Sequence, residues 1–435
     1  MRRVVVRANI LYQISLKTLI VFFCFHEMIS RTILPIGLIK YVALFMMIFF
    51  VVCRPNFSFV RYIKDVPFKD FLAISAAQFF FSIPAFLSYR MDGSYVMRMY
   101  LFYPLFFLVI QQARCFGLKY EQLIAFFIKV MLVYAYLNVL LYFVRIPIWN
   151  EQLTLFWGRI TVGYPTIDVI NYLVALIFVL FYDGFSHYGF AKRLICSLSF
   201  SLGIILQTSG TGIALLLVCF VTLAIFAFLP YNSRNSFCSM QKTIFLSTLV
   251  LLFVGTGIAY KFLNEKNPQL LETMSYQIEN RYFVLTNQEN KSTINVNTMD
   301  MRDVAFEKAR TTYMKEPIDY ILGVGYDDVT YESKNASRGL GVFLESQVYL
   351  ALFTTGIVGL LMIVRTFVLF FYKCVTMRRP LTEKICFFLV LVCYVASMFS
   401  SCLFMSMAMT GPFALFLVFF IKETKESAAS VATLQ

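Results

Sequence analysis

Apolar runs of about 18 to 22 residues recur from one end of this 435-residue chain to the other, and each is long enough to cross a hydrocarbon layer of roughly 30 Å as a helix. The pattern predicts an all-α integral membrane protein, a polytopic bundle of about twelve spans at 10–30, 34–53, 69–88, 95–113, 121–143, 165–183, 190–207, 212–230, 243–261, 342–371, 385–402 and 405–421. The chain therefore divides into nine spans over 1–261, one long polar loop over 262–341, three spans over 342–421 and a polar tail over 422–435. Arg2, Arg3 and Arg7 lead into the first run with no small-residue cleavage site after it, which predicts a retained helix and not a removable signal. Gly411 and Pro412 either break or kink the last run, because membrane helices tolerate both residues. No repeat recurs at a period of about 20 to 50 residues, and inverted halves are not evident.

Charge gives the bundle a direction. Arg54, Arg61, Lys64, Lys69, Arg114, Lys119, Lys192, Arg193, Arg234, Lys242, Lys373, Arg378, Arg379 and Lys384 fall in alternate loops. The intervening short loops carry only Arg31, Lys40, Arg90, Arg98, Arg145 and Arg159. By the positive-inside rule both termini are expected in the cytoplasm, and the 262–341 loop on the exterior or periplasmic face.

With 60% hydrophobic and 14% charged residues, the chain is too apolar for a soluble domain, where about a quarter of residues are charged. Its net charge of +14 does not predict a nucleic-acid partner, because the basic residues are scattered. The stretch from Lys261 to Leu340 even carries twelve Asp/Glu against ten Lys/Arg. The ten cysteines all lie outside that stretch and imply no disulfide framework. His26 and His187 stand far apart and no CxxC pair occurs, so no metal or cofactor is expected.

The polar loop has internal order. Asp300–Arg310 reads as a helix with Asp300 as N-cap and Pro317 as its stop, and Gly323 and Gly325 read as a turn and not a phosphate loop. Glu345-Ser346 then opens the next run, with Glu345 expected about one turn inside the membrane helix. A carboxylate at that depth is costly to desolvate and is a functional candidate for that reason.

These elements, in this order, resemble the O-antigen ligase and polymerase family of bacterial envelope glycosyltransferases. The likeness rests on Arg302 with its helix, on Pro317, Gly323 and Gly325, on Glu345-Ser346, and on Thr355-Gly356-Ile357-Val358-Gly359. Partial matches lie at Gly158–Pro165, which includes Arg159 and Tyr164, and at Gln207–Gly212, where the arginine the family carries after Ser209 is missing. Glu345 stands where many ligases have histidine, which tilts the resemblance toward a polymerase.

The resemblance implies undecaprenyl pyrophosphate-linked oligosaccharides as substrates, the bilayer as environment, and a chain-length regulator and a flippase as neighbours. A lipid pyrophosphate gathers negative charge as it leaves, and guanidinium groups can grip it bidentately without a metal. Arg302 and Arg159 are the expected catalytic cations, with Arg281, Arg338, Tyr164 and Ser346 in substrate binding. Glu345, with its affinity for protons raised by burial, is the expected general base for the acceptor hydroxyl. Each has a plainer rival: Glu345 as a helix N-terminal carboxylate, the arginines as interfacial anchors, and Asp168 as a structural polar contact. A ligase shares this chemistry. A flippase would instead place polar groups near mid-membrane and need no eighty-residue exterior loop.

Overall fold

The computed structural model describes residues 2–30, 38–53, 58, 62, 65–81, 102–143, 165–185, 188–207, 209–228, 236–266, 314–325, 346–401, 403–404 and 407–432, with isolated positions between 268 and 311. Among these residues every regular element is helical and no strand occurs. The helices are α1 (Arg2–Ser30), α2 (Leu38–Val52), α3 (Lys69–Phe81), α4 (Tyr103–Gln111), α5 (Tyr120–Phe143), α6 (Pro165–Phe181) and α7 (Phe190–Leu206). They continue with α8 (Gly210–Phe228), α9 (Ser236–Lys266), the short α10 (Pro317–Leu322), α11 (Gln347–Thr376), α12 (Leu381–Ser397) and α13 (Met407–Ala432). Each interval in which the apolar pattern predicted a span holds one of them. Four stretches are long and apolar enough to cross a membrane: Ala8–His26, Tyr120–Leu141, Gln347–Thr376 and Met407–Thr424.

Two helices form the centre. In α6 every residue from Ile167 to Phe181 is buried, and in α13 every residue from Met407 to Phe420. A helix that is hydrophobic on all sides is stable only when other helices cover it. Around α6 stand α5, α7, α8 and α12, while α1, α4 and α5 cover α13. The rim is apolar too: Phe45 is 70% exposed, Phe253 81% and Phe81 82%. Side chains of that size exposed over several helices fit a hydrocarbon surrounding, where helix association comes from packing and interhelical hydrogen bonds.

Aromatic packing supplies much of that contact. Phe387 of α12 meets Phe416, Phe419 and Phe420 of α13 at ring distances of 6.1, 5.7 and 5.4 Å. Phe68, just ahead of α3, has a left-handed backbone with φ 61°, a conformation costing a bulky residue about 1–2 kcal/mol. Its ring is buried against Phe367, Phe404 and Phe413 at 5.2, 5.4 and 5.8 Å, and this packing offsets the strain.

At one end of the bundle the charged groups pair across helices. Lys422 of α13 meets Glu121 of α5 at 2.7 Å, and Arg379 meets Glu423 at 2.6 Å. Asp183, in the turn between α6 and α7, accepts the Thr382 hydroxyl at 3.1 Å.

A polar end built on interrupted helices

The opposite end, where α10 lies, is polar in a different way. Among the described residues its buried polar groups are amides and hydroxyls with a single carboxylate, Asp168. They gather where regular helices are broken or begin.

The first interruption is in α11. Gly356 has φ 65° and a non-helical backbone, so the helix changes direction there. The Gly323 turn of α10 fits into that break, and the Val324 amide donates to Phe353 O at 2.7 Å. A Cβ on Gly323, itself at φ 78°, would stand 2.5 Å from Thr355 N and 2.6 Å from Gly356 N. Two backbones therefore touch directly, which only glycine permits at both sides. Gln78 of α3 donates to Leu322 O at 2.6 Å and holds α10 from the other flank. Pro317, expected to stop the preceding helix, is the first residue of α10, where its missing amide costs nothing. Gly325, at φ 79°, belongs to the same turn.

The second is the start of α11. Ser346 is extended, with φ −90° and ψ 130°, and its buried hydroxyl donates to Met398 O at 2.9 Å. The Gln347 and Val348 amides, left without helical partners, donate to Ser401 O and Met398 O. The N-terminus of α11 and the C-terminus of α12 thus satisfy each other. The sequence reading began this helix at 342 and placed Glu345 a turn inside it. The helix begins at Gln347, because Ser346 turns aside to reach α12.

The third lies in α13. Gly411 and Pro412 neither break this helix nor end it. Proline has no amide to give the carbonyl four residues earlier, and that carbonyl, Ala408 O, accepts Asn171 Nδ2 of α6 at 2.9 Å. Nearby, Asp168 of α6 is 2% exposed and accepts the Tyr134 hydroxyl at 2.9 Å. Asn138 of α5 lies 3.5 Å from the same carboxylate and 3.3 Å from the Tyr172 hydroxyl. Asp168 so acts as a structural hub joining α5 to α6. The 207–210 turn reaches this end as well, where Ser209 caps α8 by accepting the Gly212 amide at 3.4 Å.

Among the described residues, several buried polar atoms at this end have no hydrogen-bond partner, Asn171 Oδ1, Gln207 Oε1, Gln347 Nε2 and Tyr394 Oη, as do Glu121 Oε2 and Glu383 Oε2 at the other end. Each orphan costs about 1–3 kcal/mol of desolvation unless something polar meets it. The two acceptors and two donors at the α10 end suit a ligand rich in hydroxyls. Among the described residues no three His, Cys, Asp or Glu side chains converge as a metal site requires.

Of the residues singled out in the sequence, Ser346 is at this end, with its hydroxyl committed to α12. Arg159, Tyr164, Arg281, Arg302, Arg338 and Glu345 lie outside the described residues. Of the expected Asp300–Arg310 helix, Glu307 and Arg310 are described, paired at 2.6 Å. Asn171, Gln347 and Tyr394 were missed in the sequence, where their only signal is a polar atom inside an apolar run; Gln207 opens the 207–212 partial match, with no role read for it. Comparison with protein-family models and with curated proteins finds no match to this chain.

Proposed function

We propose that the chain is a multi-pass protein of the bacterial inner membrane that polymerises polysaccharide repeat units on its outer face. In this reading it crosses the bilayer twelve times with both termini in the cytoplasm, and the α10 end faces outward. The observation that carries the reading is the seating of the Gly323 turn on the Gly356 break. Two separate sequence elements of the glycosyltransferase resemblance are thereby packed together, on the helix whose start Ser346 anchors to α12.

The chemistry is a displacement at an anomeric carbon. A hydroxyl oxygen of the lipid-linked acceptor attacks C1 of the growing chain, and the bond from C1 to the phosphate oxygen of its undecaprenyl pyrophosphate breaks. The hydroxyl proton passes to Glu345, and the pyrophosphate leaves with the electron pair, its charge met by Arg302 and Arg159. Arg281, Arg338 and Tyr164 contact the substrates from the outer loops, and a chain-length regulator and a flippase are the neighbours this role calls for.

The test is the surface-glycan ladder of cells whose only copy carries Glu345→Gln, with membrane protein level measured in parallel. Collapse to a single repeat unit at normal protein level supports polymerisation with Glu345 as base. An unchanged ladder removes that role from Glu345. Loss of all surface glycan points to a ligase or to transport of the same lipid-linked sugars.

A further inference from the structure

A groove of about 440 Å3 runs between α5 and α7 on the flank of the bundle, away from the polar end. Its walls are apolar, with Leu132 on α5 and Ile195 on α7, and Tyr188 is buried at its base. Two cationic side chains flank it, Lys129 and Lys192, and among the described residues no carboxylate lines it. Lys192 Nζ sits 3.8 Å from the centre of the Tyr188 ring. Neither lysine is paired with an acidic side chain among the described residues.

The register of the two helices brings the lysines level. Tyr136 of α5 and Ser199 of α7 share a hydrogen bond of 2.7 Å. Both helices start from the end where Lys422 meets Glu121, and each lysine lies seven positions nearer that end than its bridging residue. Seven residues of helix rise about 10 Å. The groove therefore has Lys129 and Lys192 level with each other at one end, a facing apolar pair at Leu132 and Ile195 in its middle, and a polar bridge closing its far end. An apolar slot with a pair of long cationic side chains at one end, able to snorkel toward the headgroups, is complementary to an acyl chain that carries an anionic head.

We propose that this groove binds one anionic diacyl phospholipid from the leaflet at this end, with its phosphate between Lys129 and Lys192 and an acyl chain lying along Leu132 and Ile195. The site requires that the bundle sits in a membrane and is independent of the glycan chemistry at the other end. A basic side chain near an anionic headgroup is worth about fivefold in binding, so the pair gives about twentyfold.

The experiment is native mass spectrometry of the delipidated full chain in neutral detergent, titrated with phosphatidylglycerol or phosphatidylethanolamine. Wild type is expected to hold one phosphatidylglycerol about twentyfold more tightly than phosphatidylethanolamine. K129Q/K192Q is expected to lose that preference, and K129R/K192R to keep it, as the charge requires. The single variants K129Q and K192Q, at exposed positions, each lose about fivefold and make the same comparison if the double variant is not monodisperse. Equal retention of the two lipids by wild type, or an undiminished preference in the glutamine variants, overturns the proposal. Soluble glycerol phosphate competing as well as the intact lipid overturns it too, because the acyl chain would then contribute nothing. None of these readings depends on the glycan ladder, so the two ideas fail separately.

Discussion

The contact between Asn171 and Ala408 shows how one missing hydrogen can organise a buried interface. Pro412 leaves Ala408 O open, and Asn171 fills it from the neighbouring helix. Removing the amide with Asn171→Leu is expected to cost about 1–3 kcal/mol, because a buried carbonyl loses its partner. Pro412→Ala returns an amide to α13 that can bond the same carbonyl. In that background Asn171→Leu should cost markedly less, giving a coupling of about 0.5–3 kcal/mol in a double-mutant cycle. Equilibrium unfolding of the four detergent-solubilised proteins measures it, and equal costs in the two backgrounds would show that Ala408 O is not what Asn171 serves. In the sequence, Asn171 was visible only as a polar residue in an apolar run. Its partner was not legible, since Ala408 lies 237 positions away and the pairing depends on how α6 and α13 cross. The role of Asp168 was easier to anticipate, because a carboxylate in the first turn of an apolar helix has to be hydrogen-bonded or functional.

Among elements, the helices themselves were the legible part, because the length of an apolar run follows directly from what must be covered. Their ends and breaks were not. Apolar periodicity continues through Gly356, and only the insertion of the Gly323 turn shows why the chain departs from helix there. Pro317 marks a boundary, but the helix that opens at it was not legible, since proline suits the first turn of a helix as well as the position after one. The glycine pair yields a prediction. Alanine at Gly356 or Gly323 meets a positive φ and a backbone already in contact, so α10 should leave α11 in either variant. Trypsin cleavage at Lys315, just ahead of α10, is then expected to quicken at least about tenfold, following the opened population. Gly255→Ala is the control, because its Cβ would meet nothing within 4 Å. Unchanged cleavage in both test variants would mean that α10 is held by Gln78 and its own cap alone.

On the scale of the whole molecule, the two ends differ in how they satisfy buried polarity. One uses ion pairs between helix termini, such as Arg379 with Glu423, and the other uses amides, hydroxyls and freed carbonyls around α10. Ion pairs lock helix termini together at the first end, and among the described residues both ends keep buried polar atoms without hydrogen-bond partners, Glu121 Oε2 at one and Gln207 Oε1 at the other. The reading of the α10 end as outward decides where a substrate can arrive, and the protein's own cysteines allow a test. Cys53, just after α2, and Cys115, between α4 and α5, are exposed, and both fall on the side the positive-inside rule makes cytoplasmic. Cys24, Cys196, Cys219, Cys374, Cys386 and Cys393 are buried. In a Cys238→Ser/Cys402→Ser background, a membrane-impermeant maleimide applied to spheroplasts should leave the protein unlabelled until lysis. Ile318→Cys, at a 53% exposed position on α10, should add labelling before lysis. Labelling of Cys53 and Cys115 in intact spheroplasts, with Ile318→Cys protected, would put α10 in the cytoplasm. Lipid pyrophosphate-linked sugars would then have to react before crossing the bilayer, and the polymerase reading of this end would fall with the topology.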